Sequence, residues 1–298
     1  MQQFFQALTT GLADGSIYAS LALALVLIYK ATEVINFAQG EMAMFTTYIA
    51  YALYTHPHFG HTLSYWPMFF VTLAIAFAFG VGLQRVVIRP LEQASVLTVV
   101  MATIALLVIL QGLAAWIWSP ELKFFPSPFP TSTWVIGGVH ISKQDVGTFG
   151  VTIACVVVLW LFFRFTKLGL AMRAGAVNRA AARLMGVRTS WLLALGWGFA
   201  AVLGAVSGMM SAPTQFLSPT MMDAVLIFAF AGAVLGGLES PIGAVAGGLG
   251  LGVLLSMLST YVHVITPELR LPVALLLLLV VLLVRPAGLF GRVVVRRV

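Results

Sequence analysis

The chain has 298 residues, of which 61% are hydrophobic and only 8% charged, with a formal net charge of +7 and a mean hydropathy of +1.04. A soluble domain carries about 25% charged residues, so this composition excludes a water-exposed globular surface and makes lipid the solvent for most of the chain. The positive charge falls between apolar segments, where topology selection places it, and is read that way rather than as a nucleic-acid surface.

In lipid, backbone groups are satisfied only in helices or closed barrels. The apolar runs are long and do not alternate with period two, so helices are expected. A crossing helix needs roughly 17–25 residues, which gives candidate spans at 5–29, 41–54, 65–84, 95–118, 147–163, 191–210, 222–238, 241–259 and 270–284. Met1-Gln2-Gln3 lacks the basic start of a cleaved signal peptide, so the first span is expected to be kept. The second span is short, and the join between 238 and 241 is tight. The expected fold is therefore an all-α polytopic membrane helix bundle of about eight or nine transmembrane segments, one or two of them broken or re-entrant, forming a single domain over 1–298.

Polar features follow the same order. Asp14, Glu33, Glu41, Asp223 and Glu239 flank or enter apolar spans, where a carboxylate needs a water-filled space, a partner or a helix end. Asp14 and Asp223 are expected at the outer interface. Glu41 and Glu239 each stand beside glycine at a helix start, which fits either dipole capping or a role in a pathway. Asn36-Phe-Ala-Gln-Gly-Glu-Met-Ala and Gly236-Gly-Leu-Glu-Ser-Pro-Ile-Gly form a weak internal repeat of polar breaks, a pattern that points to a transport site. His56, His58 and His61 fall in a loop with Pro57 and Gly60 and read as solvated residues rather than metal ligands. Cys155 reads as a small buried hydrophobe. Glycines recur four apart at 11/15, 204/208, 232/236, 243/247 and 248/252, as tight helix packing requires. There is no G-x-x-x-x-G-K-[ST] segment, so ATP is not expected to bind by that route.

The stretch 164–190 holds Arg164, Lys167, Arg173, Arg179, Arg183 and Arg188 and no acid. Together with Arg85 and Arg89, and the tail arginines Arg285, Arg292, Arg296 and Arg297, it is expected on the cytoplasmic side, with loop 119–146 outside. Nine spans then put the N-terminus outside and the C-terminus inside. Within 164–190, Asn178 is a good N-cap, and Ala181, Leu184 and Met185 share one helical face. Gly186 stops the helix. A short capped helix of this kind suits either a groove on a soluble partner or anionic lipid.

Ala180-Ala-Ala-Arg-Leu-Met-Gly resembles the "EAA" loop of bacterial ABC-importer permeases. Gly15-Ser-Ile-Tyr-Ala, Val34-Ile-Asn-Phe-Ala-Gln-Gly-Glu-Met, Gly169-Leu-Ala-Met-Arg-Ala and Gly236-Gly-Leu-Glu-Ser-Pro-Ile-Gly-Ala resemble the branched-chain amino acid permease family, in its shorter H-type subunit, from about residue 8 to 290. Departures are Ala180 where the family often has Glu, Arg179 where it has Pro, Gln39 where it has His, and the unusual Asp14. The resemblance implies a transport subunit, not an enzyme, in a bacterial cytoplasmic membrane. Its implied partners are a second homologous permease, two ATPase subunits and a periplasmic binding protein. No cofactor is expected in this chain, with ATP and magnesium residing in the ATPases. ATPase coupling is expected at Arg173, Asn178, Arg179, Ala181, Arg183, Leu184, Met185 and Gly186, and the pathway at Asn36, Gln39, Glu41 and Glu239. The implied solute is a branched-chain or other apolar amino acid. The alternatives are an ion-coupled secondary transporter and a passive channel for a small neutral solute such as urea.

Overall fold

The computed structural model describes residues 2–55, 63–136, 139–177, 179–186, 188–262, 264–285 and 288–291, without the side chains of 136, 177, 179, 180, 183 and 267. His56, His58 and His61, Asn178, and Arg292, Arg296 and Arg297 lie outside the described residues.

Helices dominate, as the composition requires. They are α1 (Gln2–Thr32), α2 (Gln39–Thr55), α3 (Tyr65–Leu83), α4 (Val96–Trp118), α5 (Lys143–Phe165), α6 (Lys167–Val177), α7 (Arg179–Leu184), α8 (Thr189–Gln215), α9 (Asp223–Gly236), α10 (Pro241–Tyr261) and α11 (Arg270–Val284). Six of the segments are long and apolar enough to cross a membrane, and α9 and α11 are shorter apolar helices. Polar side chains set several starts. Ser95, Ser142 and Ser240 each accept a hydrogen bond from the backbone N–H three residues on, capping α4, α5 and α10. Pro241 at the first position of α10 needs no N–H partner there.

The buried centre is α1 and α8, whose apolar windows are mostly covered by protein, while those of α3, α4 and α5 are mostly uncovered. The uncovered faces are apolar, with Phe70 on α3, Leu97, Val108 and Trp116 on α4, and Val158 on α5. Such a surface is stable against lipid and not against water.

The helices alternate in direction. Gly11 and Gly15 of α1 meet Val253 and Leu249 of α10, and Gly248 meets Ala19, so these two run antiparallel at backbone contact. Ser20 and Ser207 tie α1 to α8 through the Leu203 and Ile17 carbonyls at 3.1 and 3.3 Å. The paired glycines expected from spacing thus lie in helix–helix seams: α1 on α10, α9 on α10, and α8 on α2, where Gly204 and Gly208 face Ala43.

Among the described residues six helices are long enough to cross, and with the shorter α2, α9 and α11 the bundle is compatible with the expected eight or nine segments as an approximate count. The second pass is broken. At 1.5 Å per residue the 17 residues of α2 reach about 25 Å, short of a hydrocarbon core of about 30 Å. Its first residue, Gln39, donates to the carbonyl of Ala200, near the middle of α8. The non-helical segment 33–38, with Val34, Asn36 and Ala38 buried, therefore makes up part of the crossing. Segment 216–222 likewise leads into α9 with Leu217, Met221 and Met222 buried.

Several details depart from expectation. Asp14 lies inside α1, half-buried, with Arg270 and Asp145 as its charged neighbours, rather than at a helix end. The outer loop carries a small antiparallel hairpin, β1 (Thr133–Ile136) with β2 (Val139–Ser142), and Lys123 pairs with Leu217 as an isolated bridge. The two polar breaks of the internal repeat are not equivalent: the first is buried in the bundle, whereas Glu239 is exposed at the α9–α10 join. The helix within 164–190 is preceded by a second one, α6.

Candidate functional site

The broken second pass is built by side chains that replace the missing helical bonds. Asn36 Oδ1 accepts from Ala38 N at 3.1 Å, and its Nδ2 donates to Gln39 Oε1 at 3.3 Å. Gln39 Nε2 reaches the Ala200 carbonyl at 2.9 Å, and Phe37 N donates to Thr103 Oγ1 on α4 at 3.4 Å. Gly204 leaves room for this amide, since a Cβ there would sit 3.0 Å from Gln39 Nε2. Asn36 and Gln39 are both buried, and their amide groups are engaged by the protein, so they hold the shape of the break.

Glu41, in the first turn of α2, is fully buried. Its Oε1 accepts from Gln111 Nε2 of α4 at 3.1 Å, and the same nitrogen donates to Asp223 Oδ1 at 3.0 Å. Asp223 begins α9 and is exposed. Two helix N-termini, each with an acid in its first turn, thus converge on one neutral amide. Such acids offset the partial positive charge of the helix ends. Above them, Trp118 of α4 stacks on Tyr48 at 5.2 Å between ring centroids. An open cleft of about 440 Å³ lies beside Gln111, walled by α4 and by 218–220.

The structure therefore brings Asn36, Gln39 and Glu41 together and leaves Glu239 apart. Glu239 sits at the opposite end of α9 from Asp223, where its backbone carbonyl accepts from Lys30 Nζ at 3.3 Å. Gln111 was not singled out in the sequence. Its signal was a lone carboxamide inside the apolar run 96–118. Asp223, expected at the outer interface, is held beside Gln111 at the start of α9.

The second group lies at the end of the bundle where α1 finishes. Arg85 stacks its guanidinium on Trp191 of α8 at 4.3 Å, and the tail returns to this end through Leu289 N to Leu235 O. The expected basic segments 84–91, 164–190 and 285–291 thus gather on one face, opposite the β-hairpin. Arg173 is exposed on α6 and donates to the Arg164 carbonyl at 3.4 Å, closing the end of α5. On α7, Ala181 is exposed, while Leu184 and Met185 are 89% and 84% exposed. Ala182 turns the opposite way and is buried. Gly186 follows with φ +80°, a left-handed stop favouring glycine. Arg179 and Arg183 lie on the same helix.

Residues 7–282 match the family described as the branched-chain amino acid transport system permease component. The chain is 30% identical over 307 residues to the high-affinity branched-chain amino acid transport system permease protein LivH of Escherichia coli (strain K12), covering 99% of this chain and 98% of that protein. It is 32% identical over 305 residues to BraD of Pseudomonas aeruginosa, with the same coverage, and 32% identical over 252 residues to a probable LivH permease of Methanocaldococcus jannaschii, covering 81% and 76%. Among solved structures, PsaBC from Streptococcus pneumoniae in complex with Fab shares the fold, with a TM-score of 0.50 at 13% identity over 96% of this chain and 93% of that one. With the broken-helix bundle and a match that spans nearly its whole length, the chain belongs to the branched-chain amino acid transport system permease family.

Proposed function

We propose that this chain is the membrane-spanning permease subunit of a binding-protein-dependent importer for branched-chain or related apolar amino acids. It works in a bacterial cytoplasmic membrane, with its C-terminus on the cytoplasmic side. Its partners are a second homologous permease, two ATPase subunits that hold ATP and magnesium, and a periplasmic binding protein. The chain itself is a transport subunit rather than an enzyme and carries no cofactor.

The observation that carries this reading is α7. It presents Leu184, and Met185 just after it, outward from the basic end of the bundle, in a helix closed by Gly186. An exposed apolar pair on a rigid short helix fits a groove on a soluble partner. Closure of the ATPases would push on α6 and α7 and rock the bundle between outward- and inward-open states. Solute would pass along the polar seam of α2, α4 and α9, whose break at 33–38 supplies non-helical backbone only where protein covers it.

The test replaces both Leu184 and Met185 with aspartate. The bundle should still purify as a folded membrane protein, and the ATPase subunits should no longer co-purify with it. Unchanged co-purification would remove α7 from the coupling role.

A further inference from the structure

We propose that the furrow along α8 between α3 and α5, at the basic end of the bundle, holds one anionic phospholipid, with its phosphate on Arg85 and a chain over Phe77 and Phe199. The inference goes beyond the importer reading and needs only that α3 and α8 cross a bilayer.

The headgroup end is built around a stacked arginine. Past α3, Gln84–Ile88 wind as a short π-helix, a local widening that recurs at functional sites. Gln84 is buried there, while Arg85 is exposed and sets its guanidinium 4.3 Å from the ring centroid of half-exposed Trp191 on α8. Stacking fixes the plane of the guanidinium and leaves the N–H groups at its edge to meet oxygens. Among the described residues no carboxylate or carbonyl takes them. Glu92, the acid that follows in the chain, accepts instead from Gln84 Nε2 at 3.1 Å. Arg89, one turn beyond Arg85, and Arg188, one turn before Trp191, are also exposed. Three cations thus stand within a turn of one exposed indole. A phosphate complements that charge, and the arginine fork meets it in two parallel bonds.

Depth and apolar neighbours make the anion a lipid. From Tyr65 to Arg85 the helix runs about 30 Å, the thickness of a hydrocarbon core, so Arg85 lies at headgroup level. Val86 beside it is 75% exposed, and tryptophan favours the same boundary. Below the indole, Leu195 and Phe199 continue the row of Trp191 along α8 at four-residue spacing. Phe199 is flanked by Phe77 of α3 at 5.3 Å and by Phe162 of α5 at 4.7 Å between ring centroids, and all three rings are part-exposed. Gly198 admits the Phe77 ring, since a Cβ there would sit 2.7 Å from it. The row from Trp191 to Phe199 is about 12 Å long, which seats the upper part of one acyl chain. Basic pockets between spans take anionic headgroups in this way.

The experiment reconstitutes the full chain in phosphatidylcholine vesicles that carry increasing fractions of a lipid brominated near the glycerol end of its chains, either phosphatidylglycerol or phosphatidylcholine. Bromine quenches neighbouring indoles, and the difference between the unmutated chain and Trp191→Phe isolates the Trp191 signal. Brominated phosphatidylglycerol should quench that signal at a mole fraction about fivefold lower than brominated phosphatidylcholine, the scale of one basic residue at an anionic surface. Arg85→Gln should abolish the preference. Arg164→Gln, which removes an arginine stacked on Trp160 and Phe165 instead, should keep it. A ratio between two lipids is insensitive to the brightness of Trp191 itself, so loss of the stack alone does not mimic loss of the site. Equal quenching by the two lipids, a preference that survives Arg85→Gln, or one that Arg164→Gln removes equally would overturn the proposal. So would loss of the preference on adding glycerol phosphate to the buffer, which would give the site to a soluble phosphate ester. If Arg85→Gln does not fold, the two-lipid comparison on the unmutated chain decides.

Discussion

Replacing Gly248 with alanine tests the backbone contact on which the bundle is built. A Cβ at Gly248 would lie 2.5 Å from both Cα and N of Ala19 on α1, and 2.9 Å from the Tyr18 carbonyl carbon. Ordinary carbon–carbon contact is about 3.5–4.0 Å, so α1 and α10 must separate by roughly 1 Å. All three obstructing atoms are backbone, and no flexible side chain can yield. Overpacking costs about 1–3 kcal/mol, and here the upper end applies. Alanine's better helix propensity returns about 1 kcal/mol, leaving a net loss of about 2 kcal/mol. Gly250 lies two residues on in the same helix with nothing within 4 Å of its Cβ position. Gly250→Ala should therefore show only the propensity gain, so the two variants should differ by about 3 kcal/mol. The assay is SDS unfolding of the full chain in mixed micelles, followed by circular dichroism. A Gly248→Ala midpoint equal to or above that of Gly250→Ala would refute the close seam between α1 and α10.

Three further outcomes are expected. Gln39→Leu removes the bond to the Ala200 carbonyl; buried polar bonds within membranes average about 0.6 kcal/mol and reach about 1.7, so a loss of about 1 kcal/mol should appear in the same titration, and no loss would show that Gln39 does not hold the break. Gly186→Ala places a side chain at φ +80° at a strain of about 1 kcal/mol; ATPase co-purification should weaken while the SDS midpoint of the spans stays put, and full co-purification would show that the aim of α7 is not set there. Glu33, exposed at φ 59° after α1, carries a similar strain; Glu33→Gly should stabilise by up to about 1 kcal/mol, and a destabilised protein would mean that the carboxylate has a use that outweighs its backbone.

Much of this protein is legible from residue types taken one segment at a time. Sparse charge forces the chain into lipid, and lipid forces helices, because an unpaired backbone group there costs several kcal/mol. Arg85, Arg173 and Arg285 mark one end of the bundle, and Gly186 closes the helix that Ala181, Leu184 and Met185 define, because capping and charge placement act within a few residues. The glycine spacing announced close seams but not their partners; that Gly248 meets Ala19 while Gly250 meets nothing depends on how three helices are set against one another. The same holds for the acids. Glu41 and Glu239 look alike in sequence, each beside glycine at a helix start, yet one is buried and the other exposed. The partners of Glu41 are Gln111 and Asp223, which lie 70 and 182 residues further along the chain. No local pattern encodes that meeting. It exists because α2 and α9 both begin within the bundle and Gln111 of α4 reaches the first turn of each, and only the packed arrangement brings those starts to one point.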